Sequence, residues 1–197
     1  PTSTSLAQNA DDANGPWLRH STTGSASGNA TGIITAAFTY ARRDWARRDT
    51  LDWTALIQTS LTGALTGMRI KAGLFSANPD AQYAMAIHEA CFRYDTVQDG
   101  TAFWRTQTSS GATATTVVTT TTYPIASGTT YLLRIKCTPT GGSNNIQFFI
   151  NDTLVSTHTS SQSLPTATQL MGFGVRLTLL AAGSNKDISW SRLSLIY

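Results

Sequence analysis

Few residues in this sequence could carry acid–base chemistry. Glycoside hydrolysis ordinarily needs two carboxylates facing one cleft, one as the acid and the other as the nucleophile or base. Glutamate occurs only at Glu89, and a strand-borne Glu-x-Asp-x-x-Glu pattern is absent. Asp44, Asp49, Asp95 and Asp99 lie in or beside predicted turns, where aspartate is common for structural reasons. The carboxylates therefore predict no hydrolytic site.

The three histidines form no catalytic constellation with other reactive side chains. His88 lies in a strand-like run, where a histidine is usually satisfied by its neighbours, and His20 and His158 lie in polar stretches that predict solvent exposure. No Ser-His-Asp or Cys-His arrangement, Gly-rich phosphate loop or Cys-x-x-Cys metal pair is present. We therefore expect a non-enzymatic protein with no catalytic residue, no metal site and no cofactor.

One group of residues has the composition of a sugar-binding site. Trp104 and Tyr94 could stack on pyranose rings, with Asp99 and Arg105 supplying hydrogen bonds near the same hairpin end. Each aromatic ring is individually more typical of core packing. These four residues are the glycan-binding candidates.

The densest charge lies in RRDWARRDTLDW, residues 42–53. Its arginine pairs are each followed by an aspartate, which would repel nucleic-acid phosphates. We interpret the run as an irregular connection held by Arg–Asp pairs, within one chain or across a subunit contact. The assembly-contact candidates are Arg42, Arg43, Asp44, Trp45, Arg47, Arg48 and Asp49.

The elements that must position these residues are predicted to be β-strands. The chain has 197 residues, only 13% of them charged, with a net charge of +3, which does not indicate a nucleic-acid partner. Alternating runs such as YLLRIKC (131–137) and MGFGVRLTL (171–179) are separated by turn signals. The pattern predicts an all-β antiparallel sandwich at 29–197, preceded by a polar N-terminal arm or edge segment at 1–28.

Other features limit the environment of the protein. No apolar run reaches about 18 residues, so we expect no membrane partner. The polar start shows no signal peptide, so either a leader was removed or none existed. We prefer the loss of an initiator methionine before Pro1, which would explain the start of the chain without secretion. Cys91 and Cys137 are interpreted as two buried thiols, with a single cross-strand bridge as the alternative.

The stretch from Thr130 to Pro165 resembles the second half of concanavalin A-like, laminin-G-like jelly rolls. An aromatic-led strand, the strand ending at Phe148–Ile150, an Asn151 hairpin and Leu154 take the expected places, although Asp152 replaces the usual glycine. The resemblance implies a concanavalin A-like jelly roll. Lyases of this fold use Gln-Ile-His on one strand, whereas this chain has Ala-Ile-His at 86–88.

Upstream, GLFSANPD and AIHEACFRYDTVQDGTAFWRTQTSSG are similar to modules of bacteriophage virion proteins. This resemblance implies a structural protein of the virion surface, such as a capsid decoration, spike or fibre module, made in the host cytoplasm. Its partners would be other virion proteins and itself, as a homo-oligomer such as a trimer. The alternative is a carbohydrate-binding adhesion module that recognises glycans.

Overall fold

The computed structural model contains two antiparallel sheets. Among the residues that the structure describes, the chain forms strands joined by turns and contains no helix. The described residues are 5–12, 15–22, 30–34, 50–59, 64–77, 87–100, 103–111, 115–138, 145–159, 163–166, 168–181 and 185–196. No helix in these ranges is long and apolar enough to cross a membrane.

The larger sheet has seven strands. In spatial order they are β1 (Ser5–Asp12), β2 (Gly15–Thr22), β13 (Lys186–Ile196), β4 (Leu51–Thr59), β9 (Thr130–Thr138), β10 (Asn145–Ile150) and β11 (Thr153–His158). Its central strands alternate buried and half-buried positions, as in β4 and β9. This period of two places one face of the sheet on a core and leaves the other face partly open.

The second sheet has six strands. In spatial order they are β3 (Ala30–Ile34), β12 (Gly172–Leu179), β5 (Met68–Phe75), β6 (His88–Asp95), β7 (Phe103–Ser110) and β8 (Thr115–Pro124). All the pairings in both sheets are antiparallel. In contrast to the alternating central strands of the larger sheet, β5 and β6 are buried at nearly every position, including the positions of their charged residues.

The core between the two sheets is built around edge-to-face aromatic contacts. Trp104 packs against Phe92, Tyr94 and Tyr131, with ring centroids 5.6–6.4 Å apart. Phe92 in turn packs edge-on against Phe148 at 5.4 Å. Because such pairs add to the free energy gained by burial, this cluster is a main source of cohesion between the sheets.

A two-residue hairpin joins β10 to β11. Asn151 and Asp152 both have positive φ angles, 50° and 62°, as the turn type that suits twisted antiparallel strands requires. The Asn151 side-chain oxygen also accepts a hydrogen bond from the Leu132 amide at 2.9 Å. The predicted hairpin is therefore confirmed, and this hydrogen bond holds the turn against β9.

The N-terminal segment contributes strands to the larger sheet. β2 pairs with β13 in register from Leu18–Trp190 to Thr22–Lys186, and β1 lies outside β2 at the sheet edge. Trp17 is buried. The two cysteines, Cys91 and Cys137, are free and buried, which confirms the interpretation as buried thiols.

Candidate functional site

The six-stranded sheet carries charge on the face turned away from the core. Residues of β5, β6 and β7 alternate, so that Ile70, Phe92 and Trp104 belong to the core cluster while their neighbours along each strand point the other way. We call this second surface the polar face. It is formed by Arg69, Lys71, Glu89, Cys91, Arg93, Asp95, Arg105, Gln107 and Ser109.

A continuous hydrogen-bond network crosses the middle of the polar face. The Lys71 Nζ donates to Glu89 Oε2 at 2.8 Å, and the Gln107 amide nitrogen donates to the other Glu89 oxygen. The Gln107 amide oxygen then accepts a hydrogen bond from Arg93 Nη1. Gln107 therefore links a carboxylate to a guanidinium, and its amide orientation is fixed by these two charges.

At the hairpin end of the polar face, two arginines converge on one carboxylate. Arg93 makes a two-pronged contact with Asp99, its Nε lying 2.7 Å from Oδ2. Arg105 Nε lies 3.4 Å from Asp99 Oδ1, and its Nη2 donates to the Asp99 carbonyl oxygen at 2.8 Å. A bidentate pair of this kind is geometrically specific, so Asp99 and its loop are held in one position.

The same loop is anchored by Asp95 at the end of β6. The Asp95 Oδ1 accepts hydrogen bonds from the backbone amides of Val97 and Gln98 at 3.0 and 3.1 Å. Its Oδ2 lies 2.6 Å from Arg69 Nε. A carboxylate that caps its own turn and pairs with an arginine makes the start of the loop rigid.

The charges of the polar face are unequal in number and in exposure. In the described ion-pair network of β5, β6 and β7, four basic side chains contact three carboxylates. Arg69, Lys71 and Arg93 are almost completely buried, whereas the Arg105 side chain is 24% exposed. Arg105 is therefore the basic group of this network that is most open to a ligand.

Burial also affects the thiol within this network. Desolvation raises the pKa of Cys91, and the neighbouring Glu89 carboxylate raises it further. Because the thiolate is the reactive form, Cys91 acts as an inert, weakly donating group beside Glu89. In the part of the chain that the structure describes, no cluster of three or more His, Cys, Asp or Glu side chains could hold a metal ion.

His88 lies at the beginning of β6, and its ring has a hydrogen-bond partner in the folded structure. Its ring Nδ1 accepts a hydrogen bond from the Thr166 amide at 3.2 Å. A Cβ atom at Gly111 would lie 2.5 Å from the His88 Nε2, so the ring packs directly against this glycine. Partial burial lowers the pKa of His88, and the neutral imidazole agrees with the prediction of a satisfied histidine.

Two of the four glycan-binding candidates lie on the wrong side of the sheet for that role. Trp104 and Tyr94 are 0% and 1% exposed in the core, so neither ring is open to a sugar. The Tyr94 hydroxyl donates to the Leu65 carbonyl at 2.8 Å, and burial raises its pKa to about 12. Asp99 and Arg105 lie on the polar face instead, so the four residues do not form one site.

The prediction that His20 and His158 are solvated is wrong. Both are buried, at 3% and 0% exposure. The His20 ring stacks on Trp190, and burial lowers its pKa, with a smaller effect from Arg176. His158 lies between the two sheets, because the last residue of β11 points towards β7.

The assembly-contact candidates lie outside the described residues. These are Arg42, Arg43, Asp44, Trp45, Arg47, Arg48 and Asp49. Asp52, at the end of the same charged run, lies in β4 and pairs with Arg134 of β9. The interpretation of the run as a connection held by Arg–Asp pairs therefore stays a prediction. The one described aspartate of the run, Asp52, binds an arginine of another strand.

Most of the polar face was not singled out in the sequence, although a signal was present. In RIKAGLF, charged Arg69 and Lys71 alternate with apolar Ile70 and Ala72. In AFWRTQT, Arg105 and Gln107 alternate in the same way. Two strands of one sheet with polar or charged side chains on alternate positions predict a polar sheet face, and in the structure β6 lies between these two strands and completes that face.

Comparisons with known proteins give the fold and no closer relationship. No protein-family model matches the chain, and no curated protein matches it in sequence. Solved structures do match. The alginate lyase Aly36B has a TM-score of 0.63 at 12% identity, covering 92% of this chain and 80% of its own. The endo-β-1,4-glucuronan lyase from Trichoderma reesei has a TM-score of 0.61 at 6% identity, covering 98% and 87%.

A third similar structure is the carbohydrate recognition domain of Emp47p, with a TM-score of 0.64 at 9% identity, covering 98% of this chain and 87% of that domain. The fold is a concanavalin A-like jelly roll. This confirms the predicted fold class, an all-β antiparallel sandwich. At such low identities the likeness shows the fold alone.

The comparisons also correct the functional expectations. The prediction of a non-enzymatic protein, which rested on the missing catalytic motifs, is wrong, because the similar structures include an alginate lyase and a glucuronan lyase. The named neighbours are lyases and a carbohydrate recognition domain, and they give no support to a bacteriophage context. The virion role and virion location therefore stay predictions.

Proposed function

We propose that this protein binds a carbohydrate chain at the hairpin end of the polar face, beside Asp99 and Arg105. The observation that carries the proposal is the fixed network of guanidinium, carboxylate and amide groups on this face. Selective binding sites use a small number of polar groups held in place before the ligand arrives. Sugar hydroxyls both donate and accept hydrogen bonds, which matches this mixture of groups.

The balance of charge favours an acidic carbohydrate. Four basic groups against three carboxylates leave one positive charge on the network, and the least buried of these basic groups is Arg105. A guanidinium binds a carboxylate through two parallel hydrogen bonds, so a sugar acid is the ligand that suits this position. Alginate and glucuronan, named for two of the similar lyases, are such polymers.

The fold likeness supports the same function. Carbohydrate recognition and polysaccharide cleavage are both represented among the similar structures, and both begin with a bound sugar chain. The proposal concerns binding alone. Cleavage of the bound polymer is a separate outcome, which can be measured on the same samples.

The test is affinity electrophoresis of the intact chain in gels that contain alginate, glucuronan or a neutral glucan. We expect retardation by the two acidic polymers. Arg105→Ala should weaken the affinity roughly 10-fold to 100-fold, because a hydrogen bond to a charged group contributes about 1.5–3 kcal/mol. Incubations of the protein with each polymer, followed for polymer shortening, report whether binding leads to cleavage.

The matched control is Arg134→Ala. Arg134 is also a partly exposed arginine paired with an aspartate, Asp52, but it lies on the seven-stranded sheet. It should leave the affinity unchanged. The proposal fails if neither acidic polymer is retained, or if both substitutions weaken binding equally, since equal effects would indicate non-specific attraction to positive charge.

A further inference from the structure

A cluster of polar side chains links the two sheets inside the core. The His158 Nε2 lies 2.9 Å from Thr106 Oγ1, and its Nδ1 lies 2.7 Å from Thr108 Oγ1. His158 ends β11 in the seven-stranded sheet, while both threonines belong to β7 in the six-stranded sheet. His158 and both threonines are 0% exposed, so these hydrogen bonds form in the absence of competing solvent.

A second contact from β11 joins the same cluster. The Ser156 Oγ lies 2.7 Å from Thr106 Oγ1. Most of β11 is exposed or half-buried, including Leu154 at 48% exposure, and in the described sheet it has a neighbouring strand, β10, on one side. The cluster therefore ties β11 to β7 of the opposite sheet, in addition to the contacts of β11 with β8 and of Val155 with the core.

Among the residues that the structure describes around His158, none carries a charge that could stabilise an imidazolium. Its contacts are hydroxyls from β7 and the Phe148 ring of β10, at 4.9 Å between centroids. β8, β10 and the rest of β11 contain no charged residue. The charged groups of β6 and β7, including Glu89, Arg93 and Arg105, lie on the polar face, on the other side of the six-stranded sheet.

The neutral ring fits the cluster, whereas the protonated ring does not. A neutral imidazole has one N–H donor and one bare nitrogen acceptor, and the two threonine hydroxyls can serve both. Protonation makes both nitrogens donors, so the hydroxyl that donated must turn to accept, and the new positive charge remains desolvated. In agreement, burial lowers the pKa of His158 to about 4.

We propose that His158 is an acid-sensitive latch between the sheets, and that its protonation releases β11 from β7 while the rest of the sandwich stays folded. Because the pKa of a histidine in the unfolded chain is about 6.5 and lies above the value in the folded state, the unfolded or opened form binds more protons. The stabilising effect of the latch is complete above about pH 6.5 and is lost as the pH falls towards about 4.

Hydrogen exchange read by mass spectrometry tests this on the intact chain at pH 7 and pH 4, corrected for intrinsic exchange rates. We expect protection in 145–158 to fall at least about 10-fold, while β4 and β9 keep theirs, since local opening exchanges amides independently of global unfolding. His158→Gln remains neutral and should show no such fall. An equal fall in His158→Gln, or an equal fall in β4, overturns the proposal.

Should His158→Gln not fold, proton NMR of the native chain gives an independent answer. The His158 ring should titrate with a midpoint near 4, together with the amide signals of β11. A ring that titrates near 6.5, or one that titrates while β11 signals remain unchanged, overturns the latch.

Discussion

Replacement of Gly73 by alanine should destabilise the sandwich severely. Gly73 lies in the middle of β5 with a φ of +150°, and a Cβ there would meet the Ala90 carbonyl oxygen at 2.4 Å and the Cys91 Cα at 2.7 Å. It would also lie 2.9 Å from Ile135 Cδ1 across the core. Two of these atoms are backbone atoms of the neighbouring strand, which cannot move aside without disturbing the sheet.

The size of the effect follows from two separate costs. Overpacking a well-packed site costs typically about 1–3 kcal/mol, and a side chain in a backbone region reserved for glycine costs about 1–3 kcal/mol. Together they give about 4 kcal/mol, a large part of the stability of an ordinary domain. With a slope of about 2 kcal/mol per molar urea, the unfolding midpoint of Gly73→Ala should fall by roughly 2 M.

Urea unfolding followed by tryptophan fluorescence measures this, with Gly100→Ala as the control. Gly100 also has a positive φ, +73°, but no atom lies within 4 Å of its Cβ position. It should lower the stability by only about 1–2 kcal/mol, the cost of the left-handed conformation. If the two variants unfold at the same urea concentration, the close approach of β5 to β6 is not what requires glycine at position 73.

Three further outcomes are expected. Lys71→Ala should cost about 3–5 kcal/mol in urea unfolding, because it leaves the buried Glu89 carboxylate without its cationic partner, whereas Arg134→Ala should cost under about 1 kcal/mol at its partly exposed pair; equal costs would contradict the burial argument. Cys91, whose pKa is raised by burial, should react with a thiol reagent only after denaturation, and rapid labelling of the native chain would contradict this. Asp152→Gly should raise the melting temperature by about 2–4 °C, because glycine adopts the φ of +62° without strain; no change would show that Asp152 already tolerates the turn.

Much of the fold could be predicted from local pattern. The alternating runs 131–137 and 171–179 become β9 and β12 with bounds that differ by no more than one residue, since alternation of apolar and polar residues and the flanking turn signals are local properties of the chain. β1 and β2 were not predicted, because SLAQNADD and GPWLRHST lack a regular alternation. The place of β2 depends on pairing with β13, more than 160 residues away, which local pattern does not encode, and β1 pairs with β2 in turn.

The candidate site was predicted less well, for a geometric reason. Trp104 and Arg105 are adjacent in a strand, so their side chains point to opposite faces of the sheet and cannot both contact one ligand. Their residue types placed Trp104 and Arg105 in one candidate site, whereas the alternation of side chains along the strand places them on opposite faces of the sheet. The sequence predicted a solvent-exposed His158 because its sequence neighbours are polar. The threonines that form hydrogen bonds with its ring belong to β7, about fifty positions earlier in the chain.

The order of the strands has a consequence for how this chain acquires its structure. β13 is the strand that joins β1 and β2 to β4, and β12 is the strand that joins β3 to β5. β1, β2 and β3 therefore cannot join the strands β4 to β11 until β12 and β13 are available to pair with them. Contacts over such long sequence separations slow folding, so we expect the early strands to remain unattached during synthesis, and a chain cut before 172 to leave β2 and β3 without their sheet partners β13 and β12.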